Sequence, residues 1–275
     1  MMAQLENLYS LDGMTAVVTG GTGVLGGAMA HGLARAGVKV GVLSRHRDTA
    51  DAVVGDIETA RGEGLALITD VLDRGQLEQA RNTVIDRWGR LDILINAAGG
   101  NMRAATESDD SNFFQIPPDA LDKVVALNLQ GTMWSSQVFG EAMARAGRGC
   151  IVNISSMAAE RALTGVPGYG AAKAGVENFT RWRAVELART YGEGLRVNAI
   201  APGFFISHQN HDLLLDKDDR LTQRGQTIID HTPAGRFGGL DDLIGTLVWL
   251  CSPGASFVNG VVVPVDGGFS AFSGV

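Results

Sequence analysis

The chain has 275 residues, 45% of them hydrophobic, and a formal net charge of −7. That length and apolar share suit one large globular domain or two small ones. The acidic balance and the lack of a basic run exclude nucleic acid as an expected partner. No stretch approaches the roughly 18 consecutive apolar residues of a membrane span. The opening "MMAQLENLYSLDG" lacks the basic start and apolar run of a secretory signal, so a cytoplasmic location is expected. Cys150 and Cys251 stand beside apolar segments without disulfide or metal-ligand spacing. They read as buried thiols of a reducing compartment, and no metal is expected.

In chain order, short apolar runs alternate with helical patterns. Strands are expected at 15–19, 39–43, 65–69, 93–96, 150–154, 196–200 and 261–265. Helices are expected at 25–36, 48–62, 73–88, 118–146, 168–191 and 240–251. Several strand runs are unbroken Val/Ile/Leu, the pattern of parallel strands covered on both faces. The alternation predicts one α/β domain, a doubly wound, seven-stranded parallel sheet with helices on both faces. The segments 99–117 and 202–238 look irregular and follow apolar strands. In open parallel sheets ligands bind outside the carboxyl ends of the strands, which makes these two loops candidates for the substrate site.

The stretch "VVTGGTGVLGGAMA" lies between the first strand and the first long helix. That is the setting a dinucleotide fingerprint requires. Glycine lets the backbone approach a pyrophosphate, and a helix N-terminus offers free N–H groups and positive potential. Gly20, Thr22, Gly23, Val24 and Leu25 are the expected contacts; the alternative is a tight turn with no ligand. An acid ending the second strand would hold the ribose 2′-hydroxyl of NAD. This chain has Ser44, Arg45 and His46 there, followed by Arg47. A guanidinium can bind a 2′-phosphate through two donors, so NADP(H) is the expected preference, with NAD(H) possible. The alternative is a solvated basic loop beside a helix capped by Asp48. Asp70, followed by Val71, ends the third strand. It could accept from the adenine amino group or simply close a turn.

Farther on stands "NISSMAAERALTGVPGYGAAKAG". Tyr169 and Lys173 are four apart at a helix start and share a face. An ammonium beside a phenol favours the phenolate, and a Tyr tuned that way exchanges a proton with an alcohol or carbonyl oxygen. Ser156, at a strand end, could hydrogen-bond the same oxygen. Asn128, in "ALNLQGT", falls inside an expected helix, where Asn is a poor former, and is a candidate for holding a water behind Lys173. A Tyr and Lys four apart are by themselves usually a surface pair. With the strand-end Ser and the glycine loop they read as a catalytic set.

On these motifs the sequence resembles the short-chain dehydrogenase/reductase family over nearly its whole length. The matching segments are "TGGTGVLG", "NAAG" at 96–99, Asn128, Ser156, "YGAAK", "RVNAIAPG" and "GVVVPVDGG". The resemblance implies a Rossmann fold, NAD(P)(H), and a homotetramer or homodimer built on the long helices. It implies Tyr169 as acid/base and Lys173 on the nicotinamide ribose, with Ser156 positioning substrate and Asn128 completing a proton relay. Asn96, Ala97, Ala98, Gly99, Pro202, Gly203 and Phe205 join the implied cofactor contacts. One departure is Val24, where single-domain members carry Gly; the middle glycine here is Gly23.

"AAGGNMRAAT", "APGFFISHQN", "HTPAGRFG" and "PVDGGFSAFSGV" further resemble the D-mannonate oxidoreductases of that family, or D-fructuronate reductases. Two departures from that group are "LSR", where an Asp is common, and Ser207, where Thr is usual. A sugar acid needs a cation for its carboxylate and donors and acceptors for its hydroxyls. Arg103, Arg161, His208 and Asn210 lie on suitable loops, with Met157 and Phe204 beside them. Arg103 or Arg161 is the choice for the carboxylate; the alternative for each is a solvated loop Arg. Rival substrates are gluconate or a polyol, or a 3-oxoacyl thioester. A dinucleotide sensor without turnover is the rival of another class, and it commonly lacks the Tyr or Lys present here.

Overall fold

The apolar runs of the central strands are buried on both faces, those of the two edge strands only in part, and their alternate residues feed two separate cores. The computed structural model describes residues 2–108, 112–207 and 210–274. Its regular elements run α1 (Met2–Tyr9), β1 (Thr15–Thr19), α2 (Val24–Arg35), β2 (Lys39–Ser44), α3 (Arg47–Thr59), β3 (Gly64–Ile68), α4 (Arg74–Trp88) and β4 (Ile93–Asn96). They continue α5 (Pro118–Val125), α6 (Gly131–Ala146), β5 (Gly149–Ile154), α7 (Pro167–Tyr191), β6 (Leu195–Pro202), α8 (His211–Leu214), α9 (Gln223–Asp230), α10 (Asp242–Cys251) and β7 (Val262–Val265).

All pairings are parallel, in the order β3-β2-β1-β4-β5-β6-β7. Successive strand residues point to opposite faces. Val18, Ile93 and Val152 therefore pack with Met29 and Leu33 of α2 and Leu243 and Leu247 of α10. Val17, Leu94 and Ile151 pack on the other face with Leu77 of α4, Phe139 of α6 and Leu187 of α7. Each such buried side chain contributes about 1.5–3 kcal/mol relative to exposure. The sheet is the doubly wound, seven-stranded Rossmann arrangement expected. Its strand order reverses at β1, which lies between β2 and β4, and a crevice opens there beyond the strands' carboxyl ends.

Four expectations need correction. The helix expected over 118–146 is divided: Ala126–Gln130 forms one turn of π-helix between α5 and α6. Such turns leave a local gap in the backbone ladder and cluster at functional positions. The helix after β2 starts at Arg47 with His46 as its N-cap, so Asp48 lies in the first turn and caps nothing. The segment 202–238, expected to be irregular, carries α8 and α9, and α1 was not anticipated. The last two share a cause: these helices have eight residues or fewer, too short to show a clear 3.6-residue period.

Candidate active site

A cavity of about 1230 Å³ opens at the carboxyl ends of the strands. Its first wall is the glycine loop. Gly20 has φ +62°, and a Cβ there would lie 2.8 Å from the Ala98 Cα. A Cβ on Gly26 would collide with the Gly20 carbonyl oxygen. The loop thus closes on itself, with the Gly23 N–H donating to the Gly20 carbonyl at 2.9 Å. Gly23 is the N-cap of α2 and offers no side-chain cap to the first turn. Free N–H groups at a helix start, beside a cradle that a Cβ would fill, fit a pyrophosphate. Thr22, Gly23, Val24 and Leu25 line the cavity here, as do Ala97, Ala98, Gly99, Pro202, Gly203 and Phe205.

Beyond β2, Ser44 is buried, its hydroxyl 3.1 Å from the Thr22 hydroxyl. Arg45 and His46 are exposed on the cavity wall. Asp70 and Val71 also line it. One Asp70 oxygen accepts from the Leu72 N–H at 2.9 Å, so its carboxylate helps close the turn after β3. Asn96 is not on the wall. It is buried and its amide donates to the Ser136 hydroxyl and the Asn153 side-chain oxygen, tying β4 to α6 and β5. Its amide nitrogen is thus used inside the fold, while its side-chain oxygen is buried without a partner among the described residues.

Ser156, Tyr169 and Lys173 line the same cavity. Ser156 caps the short turn Met157–Ala159, accepting from the Ala158 N–H at 3.2 Å. Lys173 is buried; its ammonium donates to the Ile154 carbonyl at 2.7 Å and lies 5.6 Å from the Tyr169 ring centre. Asn128, on the π turn, accepts from the Gly100 N–H at 3.0 Å and donates to the Gly100 carbonyl at 2.7 Å. A Cβ on Gly99 would lie 2.6 Å from the Asn128 Oδ1 and 3.2 Å from the Lys173 Nζ. Asn128 and Lys173 therefore converge on Gly99, although Asn128 itself is behind the cavity wall.

The electrostatics differ from the expectation of a lowered Tyr pKa. Burial pushes the Tyr169 phenol up, opposed by the hydrogen bond with Ser156. Burial pushes the Lys173 ammonium down to about 8. Desolvation disfavours the charged form of each. Tyr169 is therefore a neutral O–H donor near pH 7, suited to protonating a carbonyl oxygen.

Arg103, Met157 and Phe204 line the cavity. Phe204 stacks edge-on against Phe269, with ring centres 5.2 Å apart. Phe205 is buried in the core as well as touching the cavity. Asn210 lines it too, but its amide is tied to Ser207 and the Phe205 carbonyl. Arg161 is exposed, donates to the Ser270 carbonyl and is off the wall. The C-terminal segment, distant in sequence, draws it away. His208 lies outside the described residues. Sequence reasoning missed Asn101, Thr164 and Arg224, which also line the cavity. A polar run after a strand was the one available signal for Asn101; Arg224 had none.

A family model described as enoyl-(acyl carrier protein) reductase matches residues 22–270. An uncharacterized oxidoreductase of Bacillus subtilis, UxuB, is 47% identical, with 97% of this chain and 98% of that protein covered. Gluconate 5-dehydrogenase of Gluconobacter oxydans is 34% identical, covering 96% and 97%. A crystal structure from Haemophilus influenzae, provisionally described as a D-mannonate oxidoreductase and holding NAD, superposes with a TM-score of 0.89. It is 40% identical and covers 97% of this chain and 98% of its own. The chain belongs to the short-chain dehydrogenase/reductase family and is an NAD(P)-dependent oxidoreductase. No described helix is long and apolar enough to cross a membrane.

Proposed function

We propose that the protein interconverts a secondary alcohol and a ketone on a sugar acid of the D-mannonate/D-fructuronate type. Its preferred cofactor is NADP(H), with NAD(H) also used. The observation that carries the reaction is the half-buried Tyr169 meeting Ser156 and the buried Lys173 on one cavity wall. Tyr169 donates its hydroxyl proton to the carbonyl oxygen in reduction and takes it back in oxidation. Ser156 orients that oxygen, and Asn128 fixes Gly100 and with it the wall beside Lys173. Lys173 holds the nicotinamide ribose. When bound, the nicotinamide supplies or accepts the hydride.

The cofactor reading is supported by Arg45 on the wall where an acid would read a ribose hydroxyl. The relative that holds NAD supports the second cofactor. The substrate reading is supported by Arg103 beside polar Asn101 and Thr106, and by the description of one solved relative as a D-mannonate oxidoreductase. Gluconate or a polyol is the second reading, favoured by the gluconate dehydrogenase likeness. We place the protein at work in the cytoplasm as a homotetramer or homodimer.

Initial rates with D-fructuronate, using NADH and NADPH in parallel, test this reading, with gluconate and mannitol as oxidation controls. Efficient fructuronate reduction, faster with NADPH, is the expected result. Turnover of gluconate alone moves the substrate to the second reading.

A further inference from the structure

The cavity has a roof that the reaction above leaves unused. Residues 210–230 form a strap in which α9 folds back on α8. Leu214 is buried, the Thr222 N–H donates to its carbonyl at 2.9 Å, and a Cβ on Gly225 would collide with that carbonyl oxygen. The strap is therefore held as one piece. It lines the cavity with Leu213, Leu214 and Arg224.

Arg224 is oddly placed for a scaffold residue. It is the second residue of α9, where the helix dipole disfavours a cation. Among the described residues its guanidinium pairs with no carboxylate. It donates to the Thr164 hydroxyl at 3.1 Å and reaches the Thr164 carbonyl at 3.5 Å. Thr164 lies on the segment between Ser156 and Tyr169, so the charge hangs over the substrate end of the cavity, away from the glycine loop. A charged donor satisfied only by neutral oxygens has room for a stronger acceptor.

We propose that Arg224 is a second cation for the substrate's carboxylate, joining Arg103 from a different element of the same cavity. This rests on the sugar-acid reading. Two guanidinium groups on one carboxylate would select acids over neutral polyols and hold the strap against the bound substrate.

The test compares D-mannonate with its uncharged counterpart D-mannitol, in wild type, Arg224→Met and Arg224→Lys. Arg224 is exposed, and thermal melts check that both variants fold. Arg224→Met should raise KM for mannonate about 10- to 100-fold, as expected for a lost charge-assisted contact. It should leave kcat, mannitol oxidation and dinucleotide binding unchanged. Arg224→Lys keeps the charge and should recover part of the loss. An unchanged mannonate KM in Arg224→Met, with wild type still preferring mannonate, overturns the role of Arg224 alone. Equal losses on both substrates would make Arg224 a scaffold contact to Thr164 and also overturn it. A wild type that prefers mannitol overturns the sugar-acid reading and this role together.

Discussion

Asn128 grips both polar groups of the Gly100 backbone, accepting from its N–H at 3.0 Å and donating to its carbonyl at 2.7 Å. A side-chain amide thus substitutes for a neighbouring strand just past the end of β4. The π turn places that amide, which also donates to the Val124 carbonyl at 2.8 Å. Asn128→Ala should leave the Gly100 backbone without partners, costing about 1–3 kcal/mol. Both the melting temperature and kcat/KM should fall. A variant with wild-type activity would show that this link does not shape the site.

Gly26 and Gly55 make a matched pair. A Cβ on Gly26 meets the backbone of Gly20, which has no slack, whereas one on Gly55 meets nothing within 4 Å. Gly26→Ala should weaken NAD(P)H binding at least tenfold by opening the loop. Gly55→Ala, inside α3, should leave binding intact and stabilise the fold by about 0.4–1 kcal/mol. Titration of cofactor fluorescence with melting curves reads both. Equal binding in the two variants would contradict the cradle.

Much of this was legible in the sequence, for definite reasons. Short apolar runs such as 93–96, set between helical patterns, fit buried parallel strands by their length and composition. The spacing of Tyr169 and Lys173 fixes one helical face. What could not be read depends on contacts across long sequence separations. Arg161 turns to Ser270, 109 residues away. Asn96 looks outward in its motif yet is held by Asn153, 57 residues on. Arg224 gives no signal because α9 is short and polar. The direction of the Tyr169 shift is not legible in the motif because its largest cause is burial, which only the fold sets.

Arg45→Ala should weaken NADP(H) far more than NAD(H), by about 10- to 100-fold for the loss of a charge-assisted phosphate contact. Dissociation constants for the four reduced and oxidised forms check it. Equal loss for both cofactors would show that Arg45 does not read the 2′-phosphate.

The Lys173 ammonium titrates near 8 in the fold and near 10.5 in the unfolded state. Between those values the unfolded state binds more protons, so this group makes stability rise with pH from about 8 to about 10. Lys173→Met should abolish that rise. Urea unfolding at several pH values measures it, and parallel curves for wild type and variant would contradict a buried, easily deprotonated Lys173.

In the proposed reaction Tyr169 moves the proton. Tyr169→Phe keeps the ring and removes only the hydroxyl. The decisive measurement is kcat for the ketone substrate, beside the dissociation constant for NADPH, in wild type and Tyr169→Phe. A fall in kcat of about 10²–10⁴-fold, with NADPH binding retained, is the predicted result. Near wild-type kcat in the Phe variant would contradict the account.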